Sequence, residues 1–193
     1  MDRNVSNPPW FKTWFGFSEE QDKEVKDNFM GDYEKYVAGE YSGWDTDKDG
    51  RLAATLICDQ FSRQLFRKQA KAFDTDKLSI KLTLKALKCP DWPNYAAFEK
   101  LFFLMVLMHQ ESVEYTNMQV TEMTKVDSEY KEKNPEAYES GTGKVFQQTI
   151  TMGKEHGETI QKFGRYPYRN EVLGRESTPE ELEYLKSAKT YGQ

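Results

Sequence analysis

The chain has 193 residues, 37% hydrophobic and 14% aromatic, which suits a single domain over 1–193 with one aromatic-rich core rather than two half-sized ones. A formal charge of -5 removes the bulk attraction on which nucleic-acid and anionic-membrane binders rely, so neither partner is expected and any anion site has to be local. The longest apolar run, Leu101–Met108, is far shorter than the ~20 residues needed to span a bilayer, Met1–Ser6 carries no apolar signal core, and Cys58 and Cys89 have no CxxC spacing, so a reduced, cytoplasmic setting is expected.

In chain order, residues 1–17, with Pro8-Pro9-Trp10-Phe11, read as an irregular aromatic anchor. A first helix is predicted after Ser18, whose hydroxyl suits an N-cap and whose followers Glu19 and Glu20 place negative charge in the first turn; Val25, Phe29 and Tyr33 share one side. Leu52, Leu56, Ile57, Phe61 and Leu65 form the apolar stripe of a second helix over Leu52–Arg67. Leu78–Leu87 is dense enough in Leu and Ile for helix or strand; Lys81, Lys85, Ala86 and Lys88 favour helix, and Cys89-Pro90 stops it. A fourth helix is predicted from Tyr95 to at least Met123, apolar on every side over Leu101–Met108 and therefore central. A fifth opens at Pro135 or at Lys144 and runs to Phe163, with Gly164 and Pro167 as stop signals. The last begins with Thr178 as N-cap, Pro179 at the first position and Glu181 completing a capping box. The pattern predicts an all-α fold.

Asp45, Asp47, Asp49 and Gly50 imitate the start of an EF-hand calcium loop, but Leu56 stands where the bidentate Glu must be. The segment is read as an acidic turn before the next helix, and no metal is assigned to it. Asp59, Arg63 and Arg67 follow at four-residue steps on one helix face, either as a solvated ion-pair ladder or with Asp59 orienting Arg63 towards a ligand. His109 shares the face of Phe102 and Met105, and Glu111 also points inward, where it needs a partner; a tail arginine is the obvious one. His156, with Met152, Ile160 and Phe163 on its face, is the second inward histidine. Two histidines and Glu111 match no HExxH or comparable spacing, so no metal is assigned and the cofactor stays unknown. Arg165, Arg169 and Arg175 fall within eleven residues between two helices, either tying the loop to helix ends or forming a pocket for phosphate or carboxylate.

Several segments together resemble one known family, the uncharacterised helical proteins called domain of unknown function nine-two-four. They are Trp14-Phe15-Gly16, Leu52-Ala53, Asp59 through Arg67, Met108-His109-Gln110-Glu111, Phe163 through Asn170, and Leu173-Gly174-Arg175 to Glu181, in family order. The resemblance implies an all-helical bundle or superhelix similar to tetratricopeptide-repeat folds, although no repeat is visible here. It also carries the family's polar motif positions onto Asp59, Arg63, Arg67, His109, Glu111, His156, Arg165, Arg169, Asn170 and Arg175. The chain departs from the family pattern in having Gln110 where serine is usual and Tyr168 where a histidine is common. No established activity comes with the family.

The expected function is binding of a small anion between the second, fourth and fifth helices and the arginine-rich loop. Arg165, Arg169 and Arg175 would neutralise it, Asn170 would add hydrogen bonds, and Asp59 and Glu111 would orient the arginines, with Arg63 and Arg67 beside them. Two other functions fit the same residues: a hydrolase- or transferase-type enzyme with His109 or His156 as acid or base and Glu111 tuning it, and a protein-interaction scaffold in which a protein partner docks and the arginines are structural.

Overall fold

The computed structural model describes Gly16 and residues 18–188; the aromatic anchor expected at the amino terminus, with Trp14 and Phe15 of the first family motif, lies outside the described residues. Among the described residues the regular structure is entirely helical. Helix α1 is Glu19–Val37, and α2 runs through Lys48–Thr55, a π-helical stretch Leu56–Phe61 and a last turn Ser62–Leu65. Then come α3 (Asp76–Lys88), α4 (Ala97–His109), α5 (Val113–Lys133), α6 (Gly143–Phe163) and α7 (Pro179–Leu185).

Local chemistry accounts for most of the boundaries. Ser18 Oγ accepts the Gln21 N–H at 3.0 Å and starts α1. The EF-hand-like turn is an N-cap, because Asp47 Oδ1 accepts the Gly50 N–H at 2.9 Å, while Asp45 pairs with Lys85 at 2.8 Å. Helix α6 ends at Gly164 in the left-handed region, φ 72°, with its N–H bonded to the Ile160 carbonyl at 2.7 Å. Of the two starts predicted for this helix the later one is observed, since Gly141 at φ 131° breaks the path from Pro135. The capping box of α7 forms as read: Glu181 N–H donates to Thr178 Oγ1 at 3.2 Å, and Thr178 N–H donates to Glu181 Oε2 at 2.7 Å.

One helix differs from expectation in its extent, and a second, α3, is a helix as read but begins two residues earlier. The helix predicted from Tyr95 to Met123 is two helices, because Gln110 adopts an extended backbone and Ser112 caps a new start. In α3 the buried face is Ser79, Leu82, Thr83 and Ala86, a helical spacing, and Leu78 is exposed.

Helix α4 is central, as its all-round apolarity requires. Leu101, Leu104 and Leu107 pack with Met123 and Val126 of α5 and Val145, Phe146 and Ile150 of α6. A second cluster joins Tyr33 of α1 to Ile57 and Leu65 of α2, with Phe66 and Ala72 beyond it. Truncating a fully buried leucine in such a cluster costs about 2–5 kcal/mol. No helix among the described residues is long and apolar enough to cross a membrane.

Candidate functional site

Asp59 lies inside the π-helical stretch of α2 and is fully buried. A π turn, rare in itself, widens the helix and re-aims the side chains it carries. The Cys58 carbonyl within it is satisfied by two hydroxyls, Ser62 Oγ at 2.8 Å and Thr75 Oγ1 at 2.7 Å. The second of these bonds fixes the start of α3 against α2 and brings Asp76 to Arg63. Arg63 then bridges two acids: Nη1 donates to the Asp59 carbonyl at 2.7 Å and lies 3.2 Å from Asp59 Oδ1, while Nη2 donates to Asp76 Oδ1 at 2.9 Å.

His109, the last residue of α4, sets its Nδ1 2.9 Å from both carboxylate oxygens of Asp59. Gln60 Nε2 adds a bond to Asp59 Oδ2 at 2.6 Å. Burial alone would raise the Asp59 carboxyl, but the neighbouring charges of Arg63 and His109 and these hydrogen bonds outweigh it and hold it at about 2. Asp76 goes the other way: burial, reinforced by the Asp59 charge, raises its pKa although Arg63, Arg169 and His109 oppose the rise. Two carboxyls around one guanidinium are thus pushed apart.

The loop after α6 closes the cluster from the other side by capping the end of α4. Tyr166 Oη donates to the Met108 carbonyl at 2.6 Å, and Arg169 Nη1 donates to the His109 carbonyl at 2.9 Å. A cation at the carboxyl end of a helix meets both its unpaired carbonyls and its dipole. The Arg169 guanidinium sits 4.7 Å from the ring centroids of both Phe73 and Tyr166, and 4.0 Å from Asp76 Oδ2. Burial lowers the Arg169 pKa, and the like charge of Arg63 lowers it further.

The structure therefore brings Asp59, Arg63, His109 and Arg169 together, with Asp76 as a fifth member that the residue reading did not single out. Its one available signal was an acid at the start of a helix read as beginning two residues later, at Leu78. The other candidates lie around this centre in different company. Glu111 holds Arg175 through two bonds, at 2.7 and 2.8 Å, and accepts the Tyr166 N–H at 2.8 Å. Arg165 grips both oxygens of Glu181 at 2.7 and 2.8 Å, tying the loop to α7. Asn170 Nδ2 donates to Ser177 Oγ at 3.0 Å and to Glu181 Oε2 at 3.3 Å. Arg67 turns away to Asp22 of α1, at 2.5 and 2.8 Å, because α2 ends at Leu65 and the four-residue ladder loses its third rung.

His156 is buried on α6. Its Nδ1 is 2.8 Å from the Met152 carbonyl, and its ring meets Tyr166 edge-on at 5.2 Å. Burial pushes its pKa down to about 4. Among the described residues no group of three or more His, Cys, Asp or Glu side chains is arranged to hold a metal ion.

Among curated proteins nothing matches the chain. A solved structure of a protein of unknown function from Agrobacterium tumefaciens is similar to it, with 25% identity, a TM-score of 0.77, and 92% of this chain and 90% of that one covered. The fold thus has a counterpart over nearly the full length. A family model described as "Bacterial protein of unknown function (DUF924)" matches residues 6–189, and the chain belongs to that family.

Proposed function

We propose that the protein binds a small anionic molecule, a phosphate or carboxylate compound, beside Arg63, Arg169 and His109, where α2, α3, α4 and the loop after α6 meet. The observation that carries the reading is the pair of guanidinium groups drawn to one carboxylate, Asp76 Oδ1 at 2.9 Å from Arg63 and Oδ2 at 4.0 Å from Arg169. Crowding two cations in a low-dielectric setting is costly, and an anion that reaches both recovers that cost. Arg63 supports the reading by its burial, with a side chain only 10% exposed, and by a sealed Nε that has no hydrogen-bond partner.

In this proposal Arg67, Arg165, Arg175, Glu111 and Asn170 act as supports, since each is bonded to a helix or to the loop around the centre. The rings against Arg169 pre-orient it, which lowers the ordering cost of binding.

The test is thermal denaturation with a panel of phosphorylated and carboxylated compounds, on the wild type and on Arg63→Lys, which keeps the charge but loses the planar fork. A ligand at a hundred times its Kd should stabilise the wild type by ~2.7 kcal/mol and the variant by less than half of that. If no anion of the panel stabilises the wild type, the reading fails.

A further inference from the structure

We propose that His109 is a general base acting through Nε2, with Asp59 as its positioning residue, on a hydroxyl group of the bound anion or of a water beside it. This rests on the anion-binding reading above. Both oxygens of the fully buried Asp59 lie 2.9 Å from His109 Nδ1, and Arg63 Nη1 at 3.2 Å keeps that carboxyl ionised. An ionised carboxylate only accepts, so Nδ1 must carry the hydrogen and, in the neutral ring, the lone pair is on Nε2.

Among the described residues the only hydrogen bonds to this ring are those at Nδ1, and Nε2 is not one of the sealed polar atoms that lack a bond. The side chain is 13% exposed while Asp59 is sealed. A base that is locked on one nitrogen and open on the other stands in the same cluster as Arg63 and Arg169. A tether between α4 and α2 would need the Nδ1 bond alone; it gives no role to an open Nε2.

The step is a proton transfer. Nε2 takes the hydrogen of the hydroxyl, the O–H electron pair stays on that oxygen as a nucleophile, and the positive charge appears on the imidazole, where the Asp59 carboxylate balances it. His156 does not compete for this role, being bonded at Nδ1 to the Met152 carbonyl and 4% exposed. The substrate class that fits is a phosphate or carboxylate compound with a hydroxyl, or with a bond open to attack by water, next to its charge.

The chain has two histidines, so both can be followed without ambiguity. Long-range proton–nitrogen correlation spectra of the ¹⁵N-histidine-labelled protein, with His156→Asn to assign the signals, read the tautomer directly. The expected result, read at a pH where the ring is neutral, is a hydrogen on Nδ1 of His109. Diethyl pyrocarbonate should then ethoxycarbonylate one of the two histidines, His109, followed by peptide mass mapping, and saturating inorganic phosphate or citrate should slow that reaction by about tenfold or more. Asp59→Asn, whose amide can present its N–H to the ring, should lose the Nδ1–H form and react at least tenfold more slowly.

An Nε2–H tautomer in the wild type overturns the proposal even if anions still raise the melting temperature, and the anion-binding reading then survives alone. An Nδ1–H tautomer whose modification neither phosphate nor citrate slows also overturns it, because the base would not face the anion. Since the wild-type tautomer and the protection need no variant, a poorly folded Asp59→Asn leaves the test decisive.

Discussion

The two histidines of this chain look alike in sequence, each on an apolar helix face, and packing gives them opposite characters. His109 finds a buried carboxylate, whereas His156 finds a backbone carbonyl and an aromatic edge. For His156 the consequence is a pH dependence of stability. Its folded pKa is depressed from 6.5 to about 4, so between those values the unfolded chain binds the proton that the folded protein refuses. Its contribution is complete above about 6.5 and is lost as the pH falls towards 4, a change on the order of 3 kcal/mol. Urea denaturation from pH 7 to pH 4 should show this slope, and His156→Asn, which keeps a donor near the Met152 carbonyl, should flatten it. The sequence placed both rings correctly on inward faces because helical period is a local property. Read as an enzyme, the sequence offered Glu111 to tune either histidine and left Asp59 to orient arginines; that His109 meets Asp59, fifty residues away, depends on how α2 meets α4 and has no local signal.

At the scale of elements, what could be read and what could not divide by range. The caps at Ser18, Thr178 and Gly164 were legible because each acts on its own backbone within four residues. The end of α4 at His109 was not, because an unbroken apolar run carries no stop signal and the loop after α6 supplies the groups that satisfy its last carbonyls. The π-helical stretch that carries Asp59 was also invisible, since its carbonyl at Cys58 depends on Thr75, seventeen residues on. Gly50 shows a further case: it stands where a calcium loop has its glycine, yet a Cβ there would stand 2.2 Å from the Trp44 carbonyl oxygen. Because that oxygen belongs to backbone, Gly50→Ala should lower stability by about 1–3 kcal/mol despite alanine's better helix propensity. Chemical denaturation of the purified variant would show it, and an unchanged midpoint would mean that the close approach is relieved cheaply.

Across the whole molecule, the segment from Arg165 to Arg175 is joined to the connection between α4 and α5 by Glu111 and to α7 by Arg165. Glu111→Ala would remove the acceptor of the Tyr166 N–H and both carboxylate bonds of Arg175, leaving that guanidinium its bond to the Tyr166 carbonyl. It should cost about 1–3 kcal/mol and should raise amide hydrogen exchange in this segment more than in the core of α4, α5 and α6; uniform loss of protection would instead mean that the segment opens only with the whole fold. The all-helical class, most helix starts, the inward histidines and four of the five residues of the central cluster, all but Asp76, were legible in the sequence, because helical period, capping chemistry and charge each act over a few residues. Tertiary structure alone decided which acid meets which base. Glu111 does take a tail arginine, as read, but that it is Arg175, that Arg165 goes to Glu181, that Asp76 enters beside Arg63 and that His109 turns its Nδ1 to Asp59 all follow from the packing of segments far apart in the chain, where burial makes each charge take the nearest partner the fold provides.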